Sequence, residues 1–313
     1  MADKHSKTSL FVDKQPGGAF RVVDQAITTG AVFFVDDATG TDAEGNGYTW
    51  LSPFASLDYA ITQCTDDAGD VIYCMPNHAE STSTGGTELF DLDVDGVSVI
   101  GLGVGDARPT FTLEEATCTV VLGKPSCRLS NVRIVGNITD LATGIEIEAA
   151  AVGCRIDHCY IGDSGAALDM LVAVAIEANA DRLIFEDNHV NITVGGEATA
   201  ALNFAGGCDH LIIRNNVIIG DWVTDAAIEA STAASLGISI TDNLISNHSD
   251  TTGLCFNCNA GTTGGLYRNI VCGDVAATET VATVTAMHCG ENYGMDMPAK
   301  SGILTPSTMT AWA

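Results

Sequence analysis

Through the middle of the chain an asparagine returns in front of a short apolar strand: NVRIVGN from Asn131, NHVNIT from Asn188, NVIIGD from Asn216, NLISNH from Asn243 and NIVCGD from Asn269. HCYIGD from His158 fills the one gap, and successive spacings are 27, 30, 28, 27 and 26 residues. A polar residue repeating at this period before an apolar strand marks a solenoid. Between the asparagines runs a second series of strands: GIEIEAA, AVAIEANA, ALNFAGG, AAIEAST, GLCFNCNAG and ATVTAMHCG. Aligned after the last inward hydrophobe, these place Glu148, Glu177, Ala205, Glu229, Asn257 and His288 in one register. Each strand alternates apolar with polar or small residues and is bounded by Gly, Asn or Asp, which suits strands joined by tight turns and not helices.

The pattern predicts an all-β fold, a right-handed parallel β-helix solenoid with a short N-terminal helical cap, its coils stacked at roughly 4.8 Å. A leucine-rich repeat is disfavoured, because L-x-x-L-x-L is absent and the interior positions are Ile, Val and Ala. The asparagines are expected to take the left-handed conformation at a coil corner and to bond to the amides above and below. His158 is expected to substitute structurally at that corner. Residues 1–30 read as an N-terminal arm, residues 31–290 as the β-helix with its helical cap near 53–64, and residues 291–313 as a C-terminal cap or a tail reaching a neighbouring subunit. Within FASLDYAITQC, the apolar residues Leu57, Ala60 and Ile61 mark the helix.

Composition excludes several classes. Thirteen basic against forty acidic residues leave a net charge of −27, which argues against direct binding to nucleic acid or to an anionic membrane. Lys4, Lys7, Lys14 and Arg21 concentrate positive charge in the arm, a candidate attachment segment. No apolar run reaches the length of a membrane span, and the N-terminus lacks an apolar signal core, so synthesis and assembly in a host cytoplasm are expected. Eleven cysteines read mostly as reduced, buried hydrophobes. Cys127 with Cys154 and Cys258 with Cys289 share a register one coil apart, but parallel side-chain vectors disfavour a disulfide. Cys255-Phe-Asn-Cys258 resembles a zinc half-site, yet residues three apart on a strand face opposite sides and no second half-site follows.

The stretch from Val32 to Glu80 resembles the start of parallel β-helix proteins of the pectate-lyase-like superfamily, in particular repeat-containing proteins encoded by tailed bacteriophages. The resemblance rests on Phe34-Val35-Asp36, Gly40-Thr41-Asp42, Ser52-Pro53-Phe54-Ala55-Ser56-Leu57, Gly69-Asp70-Val71-Ile72-Tyr73, Pro76 and His78-Ala79-Glu80. With the ladder it covers residues 31 to 290. It implies a virion structural protein, most readily a homotrimeric capsid decoration that contacts the major capsid protein or another virion protein, the N-terminal arm being one route of attachment. Ala198–Ala201 and Ala226–Ala234 are then the small-residue faces expected between subunits. The alternatives are a tailspike-type polysaccharide depolymerase or a glycan-binding adhesin.

Carboxylates were weighed for catalysis, since glycoside hydrolysis needs two acids on a common groove. Glu148 and Glu177 share a register, but Glu146 and Glu148 alternate with Ile145 and Ile147 as the solvent face of an ordinary strand. Arg155-Ile156-Asp157-His158-Cys159 resembles the Ile-Asp-His segment of pectate lyases, without clustered aspartates in the neighbouring coils or an obvious Arg or Lys base beside them. Asp36-Asp37, Asp66-Asp67 and His78-Ala79-Glu80 read as cap and turn residues. The sequence therefore leads to the expectation of no catalytic activity, no catalytic residues, no metal and no cofactor.

Overall fold

The computed structural model describes residues 11–14, 20–22, 28, 30–82, 86–165, 168, 170–193, 198–249, 254–273, 282–295 and 302–303. Its architecture follows from the two-residue alternation of the strands. In Thr110–Leu113, Ile238–Thr241 and Val217–Gly220 every second side chain is buried, so each strand presents one face inward. With strands of three to seven residues in the coils from Val71 to Cys258, no strand closes a core alone, and stacking coil on coil buries a continuous aliphatic interior. The result is a parallel β-helix.

Three sheets run its length. The first holds ten strands, from Val32–Val35 through Arg128–Ser130, Arg155–Asp157, Ile184–Glu186 and Ile212–Arg214 to His288–Gly290. The second also holds ten, from Ala79–Ser81 through Arg133–Gly136, Tyr160–Asp163, His189–Asn191, Val217–Gly220, Leu244–Asn247 and Ile270–Gly273 to Gly302–Ile303. The third holds eight, from Glu88–Asp91 through Thr119–Leu122, Leu141–Ile147, Met170–Ile176, Ala200–Phe204, Ile228–Ala230 and Phe256–Cys258 to Ala282–Thr283. Pairing within the sheets is parallel except at the last pair of the second, where Gly302–Ile303 runs antiparallel to Tyr293–Gly294.

The recurring asparagine resolves into two adjacent columns. Asn131, His158, Asp187, Asn215, Asp242, Arg268 and Glu291 hold φ between 54° and 60° at the corner, the left-handed region where Asn and Asp are least strained. One residue later, Asn188, Asn216, Asn243, Asn269 and Asn292 are buried. Each buried Oδ1 accepts the backbone N–H of its counterpart in the preceding coil, as in Asn188 N to Asn216 Oδ1 at 2.9 Å and Asn216 N to Asn243 Oδ1 at 3.0 Å. Each Nδ2 donates to an interior carbonyl, Asn216 to Phe185 O at 3.0 Å and Asn243 to Ile213 O at 3.1 Å. The expectation that one asparagine both bends the chain and forms the ladder is thus corrected. Asn131 and His158 belong to the corner column, and Val132 and Cys159 hold the ladder position in their coils. Cys159 starts the amide ladder by donating its N–H to Asn188 Oδ1 at 2.9 Å.

The second series also needs a shift. Glu229 pairs with Asn203 and Asn257, two positions earlier than the alignment with Glu148 placed it, and His288 lies in the first sheet. Ala198, Ala200, Ala201, Ala226, Ala227 and Ala230 are buried. Those alanines line the interior, while Ser231, Thr232 and Ala234 at the end of the second run are exposed.

At the N-terminal end, one turn of helix, Leu57–Ile61, buries Leu57, Ala60 and Ile61. Ser56 caps it, accepting the Tyr59 N–H at 3.3 Å. Phe11–Lys14 and Phe20–Val22 of the N-terminal arm pair antiparallel; the rest of the arm up to residue 27, and residues 296–301 and 304–313 of the tail, lie outside the described residues.

Candidate functional site

Parallel register turns sequence spacing into columns of side chains. On the outer face of the third sheet one column reads Asp91, Val121, Glu146, Ala175, Asn203, Glu229, Asn257. Two residues on, backbone bonds place Gly123, Glu148, Glu177 and Ala205 in a second column. Acidic residues therefore share this face with small ones, and Gly123 is the smallest. A Cβ on Gly123 would stand 2.9 Å from Asp91 Oδ1 and 3.3 Å from Glu148 Oε2. Carboxylates from the coils on either side lean into the space that this glycine leaves, and their oxygens lie no farther apart than the sum of those two distances.

The surroundings of Asp91 perturb its ionisation. Burial, then the charges of Asp93, Glu88 and Glu148, push Asp91 up to about 6, with only partial relief from the Gly123 N–H. Glu146 is raised for the same reasons: burial first, then Glu177, Glu148 and Glu88. Asp58 rises through burial and the field of Asp93, Glu80, Glu88 and Asp42. No basic side chain figures among these causes. At mildly acidic pH, Asp91 holds a proton beside the carboxyl of Glu148. That is the arrangement general acid–base chemistry uses, one carboxyl poised near neutrality by its surroundings.

Because the folded-state value of Asp91 is raised, ionising it disfavours the folded state, and the penalty is present above about pH 6 and vanishes as pH falls towards 4. Asp91→Asn is expected to stabilise the protein at pH 7, with the gain shrinking as pH is lowered to 4; urea unfolding across that range checks it.

The residues weighed from sequence fall into place around this face. Glu148 is exposed, Glu146 half-buried, and Ile145 and Ile147 are buried beneath them. Glu177 accepts the Ala149 N–H at 3.2 Å, which ties it to the turn of the preceding coil. Glu229 is buried and accepts from Asn257 Nδ2 at 3.0 Å and from the Ala226 and Ser231 amides, a structural role. Asp91 was missed, because DLDVD precedes the regular ladder; its signal was the Asp91-x-Asp93 alternation facing a glycine one coil on.

Asp157 is fully engaged on another face. Its side chain is closed from solvent, and Arg128 binds it with Nε at 2.7 Å and a terminal nitrogen at 2.9 Å. Arg155 Nε donates at 3.0 Å, Ser130 Oγ at 2.7 Å and His158 Nδ1 at 2.9 Å. Burial alone would raise its pKa, but the bonds from Arg128, Ser130 and His158 outweigh burial and hold it well below the usual carboxylate range. Arg155 and Arg214 both pair with Glu186. The expected absence of a basic partner is corrected: arginines and acids alternate across four coils from Arg128 to Arg214.

Asp36, Asp37 and His78 bring ligand atoms within 4.8 Å of one another, but His78 is already occupied. Its Nδ1 accepts the Asp37 N–H at 2.9 Å and its Nε2 meets Glu80 Oε1 at 2.6 Å. Glu80 Oε1 in turn accepts the Leu57 N–H at 2.7 Å, so this trio staples the first loop to the helix. The eleven cysteines are unbridged. Cys255 and Cys258 both point inward, against the expectation of opposite sides, because a bend precedes the strand Phe256–Cys258; burial pushes both thiols up to about 12.

No protein-family model matches the sequence, and no curated protein matches it. Among solved structures, the GH136 lacto-N-biosidase from Eubacterium ramulus is similar, at 12% identity and a TM-score of 0.37, over 86% of this chain and 68% of that one. The expectation of a protein without catalytic activity is corrected here. The solved chain that is similar to this one is an enzyme.

Proposed function

We propose that this chain is a structural component of a bacteriophage particle, a capsid-attached β-helix that assembles as a homotrimer. The observation that carries this reading is where the residues resembling phage-encoded β-helix proteins lie. Asp42 accepts the Ala55 and Ser56 amides at 2.7 and 3.1 Å and the Ser56 hydroxyl at 2.8 Å. His78 and Glu80 staple the helix, and Phe54 exchanges backbone bonds with Phe34 and Asp36. The resemblance thus falls on the interlocking parts of the first coil. A hydrogen-bonded rod of this kind supports a role in which rigidity is the useful property, and its acidic exterior keeps densely displayed copies from sticking. The basic arm, Lys4 to Arg21, is the segment of opposite sign suited to anchoring it. Quantitative mass spectrometry of particles purified from the native virus is expected to find the protein at capsid-like copy number; absence from the particles overturns the reading.

The Asp91–Glu148 pair favours a second reading, cleavage of a host-surface glycan on the third sheet. Carboxyl groups about 5 to 10 Å apart serve glycoside hydrolysis. Under this reading the purified protein releases oligosaccharides from host capsule or lipopolysaccharide, and both Asp91→Asn and Glu148→Gln abolish the release. Intact chains after prolonged incubation with the wild-type protein remove it.

A further inference from the structure

The outer faces of the solenoid differ in kind. The third sheet exposes carboxylates and the first carries the arginine–acid alternation. The second sheet, in a chain with forty acidic residues, has no carboxylate at the outward positions of its coil strands between Thr110 and Cys272. Its outward column runs Thr110, Arg133, Tyr160, His189, Val217, Leu244, Ile270, Tyr293. From Val217 onward this column is apolar, and the next outward column runs Ile219, Ser246, Cys272. Leu244 and Tyr293 are 37% and 46% exposed, and Val217 and Ile270 are half-buried. Apolar residues on four consecutive coils form a contiguous outward stripe, the kind of patch that marks an interaction surface.

We propose that copies of this chain pack side by side through the outer face of the second sheet, centred on Val217, Leu244, Ile270 and Tyr293. This deepens the proposed function, on whose homotrimer it rests, by naming the contact face. Two features select another copy as the occupant. With a net charge of −27, copies repel one another wherever carboxylates line both surfaces, and the strands of this face carry none between Thr110 and Cys272, the acids Asp187, Asp242 and Glu291 lying in the corner column beside it. The stripe also repeats at the coil spacing of about 4.8 Å, so the rungs of an identical rod are commensurate with it along its whole length. The four apolar rungs, each about 13 Å across at that spacing, offer roughly 250 Å² per copy, so a standard stable interface of ~800 Å² per partner extends over the polar rungs and the turns as well. At the polar end of the column Arg133 lies 3.6 Å from the exposed Asp106 and over the Tyr160 ring, 5.4 Å from its centroid.

Light scattering of the full-length protein after size exclusion tests this. At micromolar concentration the wild type is expected at about three times its 32.4 kDa monomer mass, and Leu244→Glu at the monomer mass, with an unchanged circular dichroism spectrum. Tyr293→Glu, in the last coil, gives the same result independently should Leu244→Glu fail to fold. Glu177→Gln on the third sheet leaves the oligomer intact. A monomeric wild type, or glutamate variants that keep the wild-type mass, overturns the inference. An oligomer dissociated by Leu244→Glu, in a protein missing from purified particles, instead upholds this face and removes the virion reading.

Discussion

Asn243→Ala is expected to cost about 3–5 kcal/mol of unfolding free energy, whereas Asn215→Gly is expected to stay within about 0.5 kcal/mol of wild type. The contrast follows from the two columns at the coil corner. Asn243 Oδ1 accepts both the N–H and the Nδ2 of Asn216, each at 3.0 Å, and Asn243 Nδ2 donates to Ile213 O at 3.1 Å and Asn269 Oδ1 at 2.9 Å. Alanine strands the Asn216 amide and the Ile213 carbonyl in an interior closed to water, and each buried orphan costs about 1–3 kcal/mol. Asn215 is exposed and holds φ of 56°, a conformation glycine takes freely. Urea unfolding followed by circular dichroism separates the two variants. Equal losses at both positions would mean that the corner, and not the amide ladder, carries the stability.

The second large effect is expected at Asp157. Asp157→Asn removes a buried charge and leaves the partly exposed Arg128 and Arg155 facing a neutral amide, a change that costs about 1.5–3 kcal/mol for lost hydrogen bonds to a charged group. The pH dependence has a defined sign. Because the folded-state pKa is depressed, Asp157 stabilises the protein fully above the unfolded carboxyl value of about 4, and this contribution is lost as pH falls below that value. Wild-type stability measured by urea unfolding should therefore decline below pH 4. The Asp157→Asn curve starts lower at pH 7 and lacks this component of the decline. Parallel curves for the two proteins would show that Asp157 carries no linked proton.

The solenoid was legible because a coil must return to the same register, and that return is written in the spacing of one residue type. Its finer register was not. Asn131 and Asn188 look alike in sequence, but one bends the chain at the corner and the other is buried a residue later, and only the pairing of Arg133 with Tyr160 and of Tyr160 with His189 tells them apart. Ala198 and Ala226 read as surface because small residues favour close approach; they are small because they pack inside a narrow coil. The alternation of Arg128, Asp157, Arg155, Glu186 and Arg214 was hidden since its members come from different coils and meet only when strands pair. For Asp91 the decisive neighbour is a missing side chain at Gly123, and no residue type announces a gap.

High-resolution electron microscopy of the native virus particle tests the central claim most directly. Rods with rungs spaced about 4.8 Å along their axis are expected at the capsid surface, grouped in threes, with the second sheet turned inward and the carboxylate-lined third sheet outward. Density at those sites that lacks the rung spacing, or rods standing singly with the Leu244 face bare, would contradict it.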